Sequence, residues 1–337
     1  MKVFVAGASG AIGTRLVPQL IAAGHDVIGS HNSPANAERL RTLGAKPVMV
    51  DLLDPDAVRK AVLENEPDAL VHQATALAHA KFSRNMDKVL AMTSELRTKG
   101  TDALLAAARE AGVRRFVAQS FASYRHAREG GPIKTEDDPL DVTPPPDFRR
   151  AAAAMTYLEQ AVTDFGGIAL RYGVFYGAAN DGLIEPVRKR QYPIIGDGGG
   201  ITSWIHLEDA AAATALALKH EGPAIYNIVD DEPAPVREWL PVLAKALGAK
   251  PPRQLPRLAG AVARRRGGGS NVHRGARRLQ RESQAPPRLD AALPQLATRL
   301  RRGLRQTVGA VVRAPIPRVR ERRPAALRVS MTQSDAR

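Results

Sequence analysis

Cysteine is absent from the 337 residues of this sequence, and aromatic side chains make up only 4% of it. The absence of cysteine excludes disulfides and thiolate metal sites, and it is typical of a reducing compartment, so we expect a cytoplasmic protein. No uninterrupted apolar run reaches the length of a membrane span. The first residues, MKVFVAGASG, form a short apolar run that stops at glycine. The sequence therefore predicts neither a signal peptide nor a membrane partner.

Basic residues are in excess in one part of the chain only. Residues 251–337, which contain 21 arginines, four acidic residues and no lysine, account for the net charge of +15. The preceding residues are close to neutral overall. Residues 251–337 also lack Phe, Tyr and Trp, so they have little apolar surface from which to build a core. We therefore predict a poorly ordered Arg-rich tail over residues 256–337.

A glycine turn stands between the first apolar run and the first helical pattern. The stretch KVFVAGASGAIGTRLVPQLIAAGHDVIG has the pattern of a βαβ unit, with its glycines spaced as GxxGxxG. In such a turn, free N–H groups at the helix N-terminus bind a pyrophosphate, and glycine lets the backbone approach it. The sequence predicts a dinucleotide-binding turn made of Gly7, Ser9, Gly10, Ala11, Ile12 and Gly13.

The end of the second strand decides which dinucleotide fits. The segment Ser30 to Ser33 carries neither the acid that suits a free ribose 2′-OH nor an arginine for a 2′-phosphate. Hydroxyl and amide donors such as Asn32 tolerate a phosphate better than a carboxylate does. We therefore favour NADP slightly over NAD, with an ordinary polar loop as the alternative interpretation.

Strand and helix patterns alternate from the turn to about residue 176. This alternation predicts an α/β fold, a Rossmann-type doubly wound parallel sheet whose ligands lie at the carboxyl ends of the strands. We expect an NAD(P)-binding domain over residues 1–180 and a small C-terminal substrate lobe over 181–255. No set of His, Asp and Glu has metal-ligand spacing, so no metal site is predicted.

Residues 1–255 resemble the extended or atypical short-chain dehydrogenase/reductases, the NAD-dependent epimerase/dehydratase group. The resemblance rests on the segments GASGAIG, HQATA, AQSFASY, LRYGVFYG, SWIHLEDAA and YNIVDDEPAPVREWL, in that order. It implies an NAD(P)-dependent oxidoreductase or epimerase-like protein that acts on a small carbonyl or sugar-like substrate. It also implies cofactor contacts from Asp51, Leu52, Ala74, Thr75, Ala76, Tyr172 and Val174, and substrate contacts from Ser123, Phe175, Tyr176, Trp204 and His206. For His206 the alternative is a packed, hydrogen-bonded residue beside a helix that Asp209 caps.

The catalytic residues that the family resemblance leads us to expect are incomplete. Ser120 matches the family serine that orients the substrate oxygen. When the helix is aligned by Glu159, Ala151 stands at the position of the family's catalytic tyrosine and Met155 at that of its lysine. The nearest substitute acid is Tyr124, which Arg128 follows at the right spacing but outside that helix. The alternative for Tyr124 is a residue that lines the substrate pocket. The alternative function is therefore a protein that binds or senses NAD(P) without turning anything over.

The tail departs from the resemblance. Related chains close with a segment similar to RGASNAKAKRELGW, and RGASNA written in GC-rich codons and read two bases along becomes Arg-Arg-Leu-Gln-Arg, which stands at residues 277–281. This favours a chain that runs out of frame from near Leu258. The rival is a genuine basic arm, which phosphate neutralisation would attract to nucleic acid without sequence specificity. We expect a small-molecule substrate, no specific nucleic-acid partner, and a monomer or homodimer.

Overall fold

The computed structural model describes residues 1–77, 85–122, 126–127, 129–131, 133–177 and 183–256. The predictions for Ser123, for Tyr124 with Arg128, and for the tail beyond Pro256 lie outside the described residues. Everything below concerns the described part of the chain.

Strands alternate with helices along the chain, as the sequence predicts. The strands are β1 Lys2–Ala6, β2 Asp26–His31, β3 Lys46–Met49, β4 Ala69–His72, β5 Arg115–Phe121, β6 Ile168–Tyr172, β7 Val174–Tyr176, β8 Ile194–Ile195, β9 Ile201–Thr202, β10 Trp204–His206, β11 Ala224–Ile228, β12 Ala234–Pro235 and β13 Gln254–Leu255. The helices are α1 Gly13–Ala22, α2 Pro34–Thr42, α3 Pro55–Asn65, α4 Met86–Val89, α5 Ala91–Glu95, α6 Thr101–Glu110, α7 Arg149–Asp164, α8 Ile184–Arg188, α9 Leu207–Ala217 and α10 Val236–Ala246, with a π-helical turn at Leu96–Gly100 between α5 and α6.

Seven of these strands form one parallel sheet in the order β11-β6-β5-β4-β1-β2-β3. The strand order reverses between β1 and β4, which is the switch point at which doubly wound sheets bind ligands. The glycine turn follows β1, so it lies at this point. The predicted Rossmann-type sheet is confirmed.

Helices cover both faces of the sheet because successive side chains of each strand point to opposite sides. On β1, Val3 and Val5 join a core cluster that includes side chains of α1 and α9. Phe4 and Ala6 join the cluster on the other face, which includes side chains of α3, α6 and α7. All four are fully buried.

Elements on both sides of the predicted boundary at residue 180 pack together. Strand β11 pairs with β6 in the main sheet, and α9 packs against α1. Both elements lie inside the predicted lobe 181–255. A smaller cluster that includes Val187, Ile194 and Leu240 joins α8, β8 and α10. The division into an NAD(P)-binding domain and a substrate lobe stays a prediction.

None of the helices in the described ranges is long and apolar enough to cross a membrane.

Candidate functional site

The glycine turn after β1 is held by close backbone contacts at two of its three glycines. Gly7 has a φ of +83°, and a Cβ there would lie 2.6 Å from the Cα of Ala74. At Gly13 a Cβ would lie 2.4 Å from the carbonyl oxygen of Ala8. Any side chain at either position would force the backbone apart, so these two glycines are needed by the fold itself.

Gly10 differs from its two neighbours because the space over it is open. A Cβ there would approach only the carbonyl oxygen of Gly7, at 3.2 Å. Beside it, the amides of Ala11 and Ile12 make no hydrogen bond to any described residue. Helix α1 has no acidic residue in its first turn. An anion such as a pyrophosphate fits here, because the helix N-terminus presents free donors and nothing negative opposes it.

The end of β2 approaches the same turn. The hydroxyl of Ser30 accepts a hydrogen bond from the amide of Gly7 at 3.0 Å, so this side chain supports the turn and is buried. The next residue, His31, is buried as well. Asn32 is exposed, and its side-chain oxygen accepts a hydrogen bond from Asn36 at 3.3 Å. Of the predicted ribose segment, Asn32 is therefore the residue that faces solvent beside the turn.

The predicted adenine and strand-four contacts surround the turn. Asp51 is exposed at the end of β3, where its carboxylate accepts a hydrogen bond from the amide of Leu53. Leu52 is buried in the core. Ala74, Thr75 and Ala76 are half-buried after β4, and Ala74 lies directly against Gly7.

Ser120 lies at the end of β5 in a buried polar network. Its hydroxyl donates a hydrogen bond to the carboxylate of Glu159, which also accepts two hydrogen bonds from Arg171, at 3.1 and 2.8 Å. All three side chains are buried, and Ser120 has no exposed surface. The network joins β5, β6 and α7. The contact with a substrate oxygen that the resemblance implies for Ser120 stays a prediction.

The positions of the expected tyrosine and lysine are filled by a small apolar cluster. Ala151 and Met155 are buried on α7 and pack with Phe148. Side chains of Met86 and Phe121 cover the cluster. No polar group stands at either position, so α7 offers neither an acid nor a ribose-binding amine there.

The aromatic side chains from Tyr172 to Tyr176 fall into two groups. Tyr172 and Phe175 pack against the core, whereas Tyr176 contacts the rings of Trp204 and His206. Tyr172 is fully buried, and its hydroxyl lies 2.6 Å from that of Thr214. Burial raises the pKa of Tyr172 to about 12. Phe175 packs against the same core, with its ring 5.5 Å from that of Tyr172. Both side chains therefore make packing contacts, and their predicted cofactor and substrate contacts stay predictions. Val174 is half-buried at the start of β7.

An aromatic wall is formed by the rings of Tyr176, Trp204 and His206. Strands β7 and β10 pair in parallel, which brings Tyr176 opposite His206 with ring centroids 5.0 Å apart. Trp204 contacts Tyr176 edge to face at 6.4 Å and Trp239 at 4.9 Å. The structure thus unites three of the predicted substrate residues and adds Trp239, which the sequence analysis missed.

His206 also begins helix α9. Its Nδ1 accepts a hydrogen bond from the amide of Glu208, so the cap expected from Asp209 comes from His206. Burial lowers the pKa of His206 below its ordinary value. A neutral ring with an acceptor at Nδ1 is what this cap requires.

Asp230 is a second residue that sequence reasoning missed. It follows β11 at the carboxyl end of the sheet and is 4% exposed, and its carboxylate contacts the hydroxyl of Tyr176 and the backbone of His206. Burial raises the pKa of Asp230 to about 7, and the negative charges of Asp209 and Asp231 add to this effect. The available signal was an acidic pair directly after the last apolar strand, where ligands of such sheets bind.

Within the described residues, no group of three or more His, Asp and Glu side chains is arranged to hold a metal ion. The donor set of the site is instead a turn of free amides next to an aromatic wall. Together with the parallel sheet and its switch point, this places the chain among α/β proteins of the Rossmann type, the class in which such a turn binds dinucleotides.

The chain belongs to the NAD dependent epimerase/dehydratase family, whose model matches residues 3–229. It is 40% identical over 264 residues to a 3-diazoavenalumate denitrifying reductase from Streptomyces sp, a match that covers 76% of this chain and 84% of that protein. It is 29% identical over 266 residues to a 2-alkyl-3-oxoalkanoate reductase from Stenotrophomonas maltophilia, covering 74% of this chain and 76% of that one.

A solved structure supports the same assignment. The crystal structure of the Thermus thermophilus UDP-glucose 4-epimerase in complex with NAD superimposes with a TM-score of 0.59 at 28% identity, covering 76% of this chain and 86% of the epimerase. The expected membership of this family and the expected fold are therefore confirmed. The family's relatives include both reductases and epimerases, in agreement with the predicted oxidoreductase or epimerase-like function.

Proposed function

We propose that the protein is an NAD(P)H-dependent reductase of small planar substrates. The observation that carries the proposal is the contrast within the glycine turn. Gly7 and Gly13 are enclosed by backbone, whereas Gly10 lies open beside the free amides of Ala11 and Ile12. Such an open glycine serves a ligand rather than the fold. When bound, the reduced nicotinamide supplies a hydride to the substrate.

The residues of the chain hold the two reactants in this proposal. The turn binds the pyrophosphate, and Asp51 with Ala74, Thr75 and Ala76 borders the rest of the dinucleotide. Tyr176, Trp204 and His206 offer flat apolar surface to the substrate. Ser120 acts as a positioning residue, because its hydrogen bond to Glu159 fixes the end of β5 beside the cleft.

The two candidate reactions differ in whether the protein must supply a proton. Reduction of a carbonyl carbon leaves an oxygen that needs a proton, and Ala151 and Met155 supply none. For that reaction Tyr124, predicted after β5, is the proposed acid. Reduction of an aryl diazonium group needs no acid, because hydride adds to the ring carbon while the electron pair of the carbon–nitrogen bond leaves with dinitrogen.

The second reaction is favoured by one specific observation. The position of the family acid is an apolar cluster with no polar replacement among the described side chains of α7. The relative that is 40% identical is named as a denitrifying reductase of a diazo compound. A chain that transfers hydride to such a substrate has no use for the tyrosine and lysine of the helix.

The test is consumption of reduced nicotinamide by the purified full chain. We expect binding of NADPH or NADH by fluorescence, followed by oxidation with 4-hydroxybenzaldehyde or with a 4-hydroxybenzenediazonium salt. Dinitrogen release identifies the diazonium reaction, and the benzyl alcohol identifies the carbonyl reaction. Tight cofactor binding without turnover across a broad panel of both classes would instead support a dinucleotide-sensing protein.

The finer choice of cofactor is part of the proposal. NADPH is favoured slightly over NADH, since Asn32 is exposed at the end of β2 and no acid stands between Ser30 and Ser33. We also propose that the protein is a monomer or homodimer and that it resides in the cytoplasm. Light scattering coupled to size-exclusion chromatography tests the oligomeric state, and fractionation of the native cells tests the location.

A further inference from the structure

The side chain of Arg15, on α1, joins three separate parts of the chain around the glycine turn. Its guanidinium donates one hydrogen bond to the carbonyl oxygen of Ala11 in the turn at 2.8 Å, and another to that of Gly177 after β7 at 3.3 Å. Its Nε lies 3.0 Å from the carboxylate of Glu208 in the first turn of α9. One side chain thus connects the turn, the end of β7 and α9.

The contact with Ala11 falls on a carbonyl group that the helix itself does not use. The backbone amides of Arg15 and Leu16 both donate to the carbonyl oxygen of Ile12, at 2.9 Å. Among the described residues, no backbone amide donates to the carbonyl oxygen of Ala11. The hydroxyl of Thr14 approaches that oxygen only at 3.4 Å. The orientation of this carbonyl group therefore depends mainly on the side chain of Arg15.

The same peptide group carries one of the free donors of the turn. The carbonyl of Ala11 and the amide of Ile12 belong to one planar unit, so a hydrogen bond at the oxygen fixes the direction of the N–H. A charged donor at the oxygen also polarises that N–H and strengthens it as a donor. Thr14 acts in the same way on the preceding unit, because its hydroxyl donates to the carbonyl oxygen of Gly10 at 3.0 Å and that unit carries the amide of Ala11.

The other two contacts of Arg15 are with closely packed elements. Gly177 has a φ of +101°, and a Cβ there would lie 2.4 Å from Nε2 of His206, the residue that caps α9. Glu208 lies in the same helix, which packs against α1. The guanidinium thus links this packed framework to a turn that has open space over Gly10.

We propose that Arg15 is a positioning residue for the pyrophosphate of the dinucleotide. It orients the amides of Ala11 and Ile12, and its own donors point to protein oxygens rather than to the ligand. This role rests on the proposed function, because it concerns the same glycine turn. It goes beyond the glycine spacing, which provides room for the pyrophosphate but does not fix the direction of the donors.

The test compares dinucleotides with fragments that lack the pyrophosphate. Fluorescence titration of the full chain measures the binding of NADPH and NADH, and displacement of the bound dinucleotide measures the binding of adenosine and 2′-AMP. In Arg15→Gln we expect dinucleotide affinity to fall about tenfold and fragment affinity to change less than about twofold, because only the pyrophosphate meets the two amides. Urea unfolding checks that the variant remains folded.

Two further variants separate positioning from simple attraction by charge. Arg15→Lys keeps the charge, but one ammonium group cannot reproduce the fork of contacts, so only part of the lost affinity should return. Glu208→Gln removes an acid near the phosphate site, so a pure charge effect would tighten dinucleotide binding. Loss of the contact that holds Arg15 should instead weaken it, by about twofold because the pair is partly exposed. The control Arg59→Gln removes an exposed arginine of α3 and should leave the affinity unchanged.

The outcomes distinguish this role from the proposed function. Equal losses for dinucleotides and fragments, full recovery in Arg15→Lys, or tighter binding in Glu208→Gln overturns the positioning role. Dinucleotide binding that Arg15→Gln leaves unchanged overturns it as well, while the proposed function stands. If the parent protein binds neither NADPH nor NADH, the proposed function fails and this role fails with it.

Discussion

The hydroxyl of Ser120 donates its hydrogen bond to Glu159, whose carboxylate also binds the guanidinium of Arg171. These three side chains link β5, α7 and β6 below the cleft. The hydrogen bond of the serine supports the end of β5, and its predicted contact with a substrate stays to be tested. Glu159 thus has a structural partner on both neighbouring strands.

Replacing Glu159 by Gln should destabilise the protein far more than it disturbs the cofactor turn. The change leaves Arg171 as an uncompensated buried charge, which costs about 3–5 kcal/mol. Urea unfolding measures the difference. The control is Glu110→Gln, which breaks the exposed ion pair with Arg59 and should change stability little, because solvent screens both charges. Equal losses in the two variants would contradict the network.

Replacing Ser120 by Ala should lower stability by about 1–3 kcal/mol and leave the Michaelis constant nearly unchanged. The physical reason is that the hydroxyl serves Glu159 and has no exposed surface. Steady-state kinetics on whichever substrate is turned over provides the measurement. A large rise in the Michaelis constant with little loss of stability would restore Ser120 to the substrate site.

Replacing Gly10 by Leu should abolish dinucleotide binding while the unfolding midpoint changes little. The side chain would occupy the open space over the free amides of Ala11 and Ile12. In the matched variant Gly13→Leu the new Cβ would clash with the carbonyl oxygen of Ala8, so this protein should fail to fold. Fluorescence titration with NADPH and circular dichroism follow the two effects. Unchanged affinity in Gly10→Leu would contradict the dinucleotide site.

Restoring the family pair with Ala151→Tyr and Met155→Lys should cost stability and add no reductase activity. Both positions are buried in an apolar cluster, where overpacking costs about 1–3 kcal/mol and a lysine must lose its charge or its hydration. Ala153→Tyr on the exposed face of the same helix is the control and should be nearly neutral. A gain in turnover in the double variant would mean that the cluster opens onto the cleft.

The stability of the protein should fall between about pH 4 and pH 7 because of Asp230. Its pKa is raised to about 7 in the folded state, against an ordinary value of 3.8. The folded protein therefore keeps a proton that the unfolded chain has released, so the contribution is present below pH 4 and is lost as the pH passes 7. The groups around it are Tyr176, His206, Asp209 and Asp231.

In Asp230→Asn this pH dependence should vanish, and the variant should exceed the parent protein in stability at pH 8 by on the order of a few kcal/mol. Denaturant unfolding at several pH values checks both statements. Parallel pH profiles of the two proteins would show that another group is responsible.

The order of elements could be read from the sequence because it rests on local patterns. Alternating strand and helix periodicity, the glycine turn after β1 and the composition of α7 are visible without any contact between distant residues. The absence of the tyrosine and lysine could also be read from the sequence, because Glu159 fixes the alignment of this single helix. These features led to the correct fold and family.

Tertiary packing decided which of the named side chains face the cleft. Tyr172, Phe175 and Tyr176 lie on one short segment, and the sequence alone does not tell that the first two pack against the core that α1 and α9 share. Ser120 donates its hydrogen bond to Glu159 because α7 packs against β5 and β6. Asp230 stands beside Tyr176 because β11 joins the sheet next to β6, after a long excursion of the chain. A sequence motif states which groups are present, whereas burial and partner choice depend on contacts that form only in the folded chain.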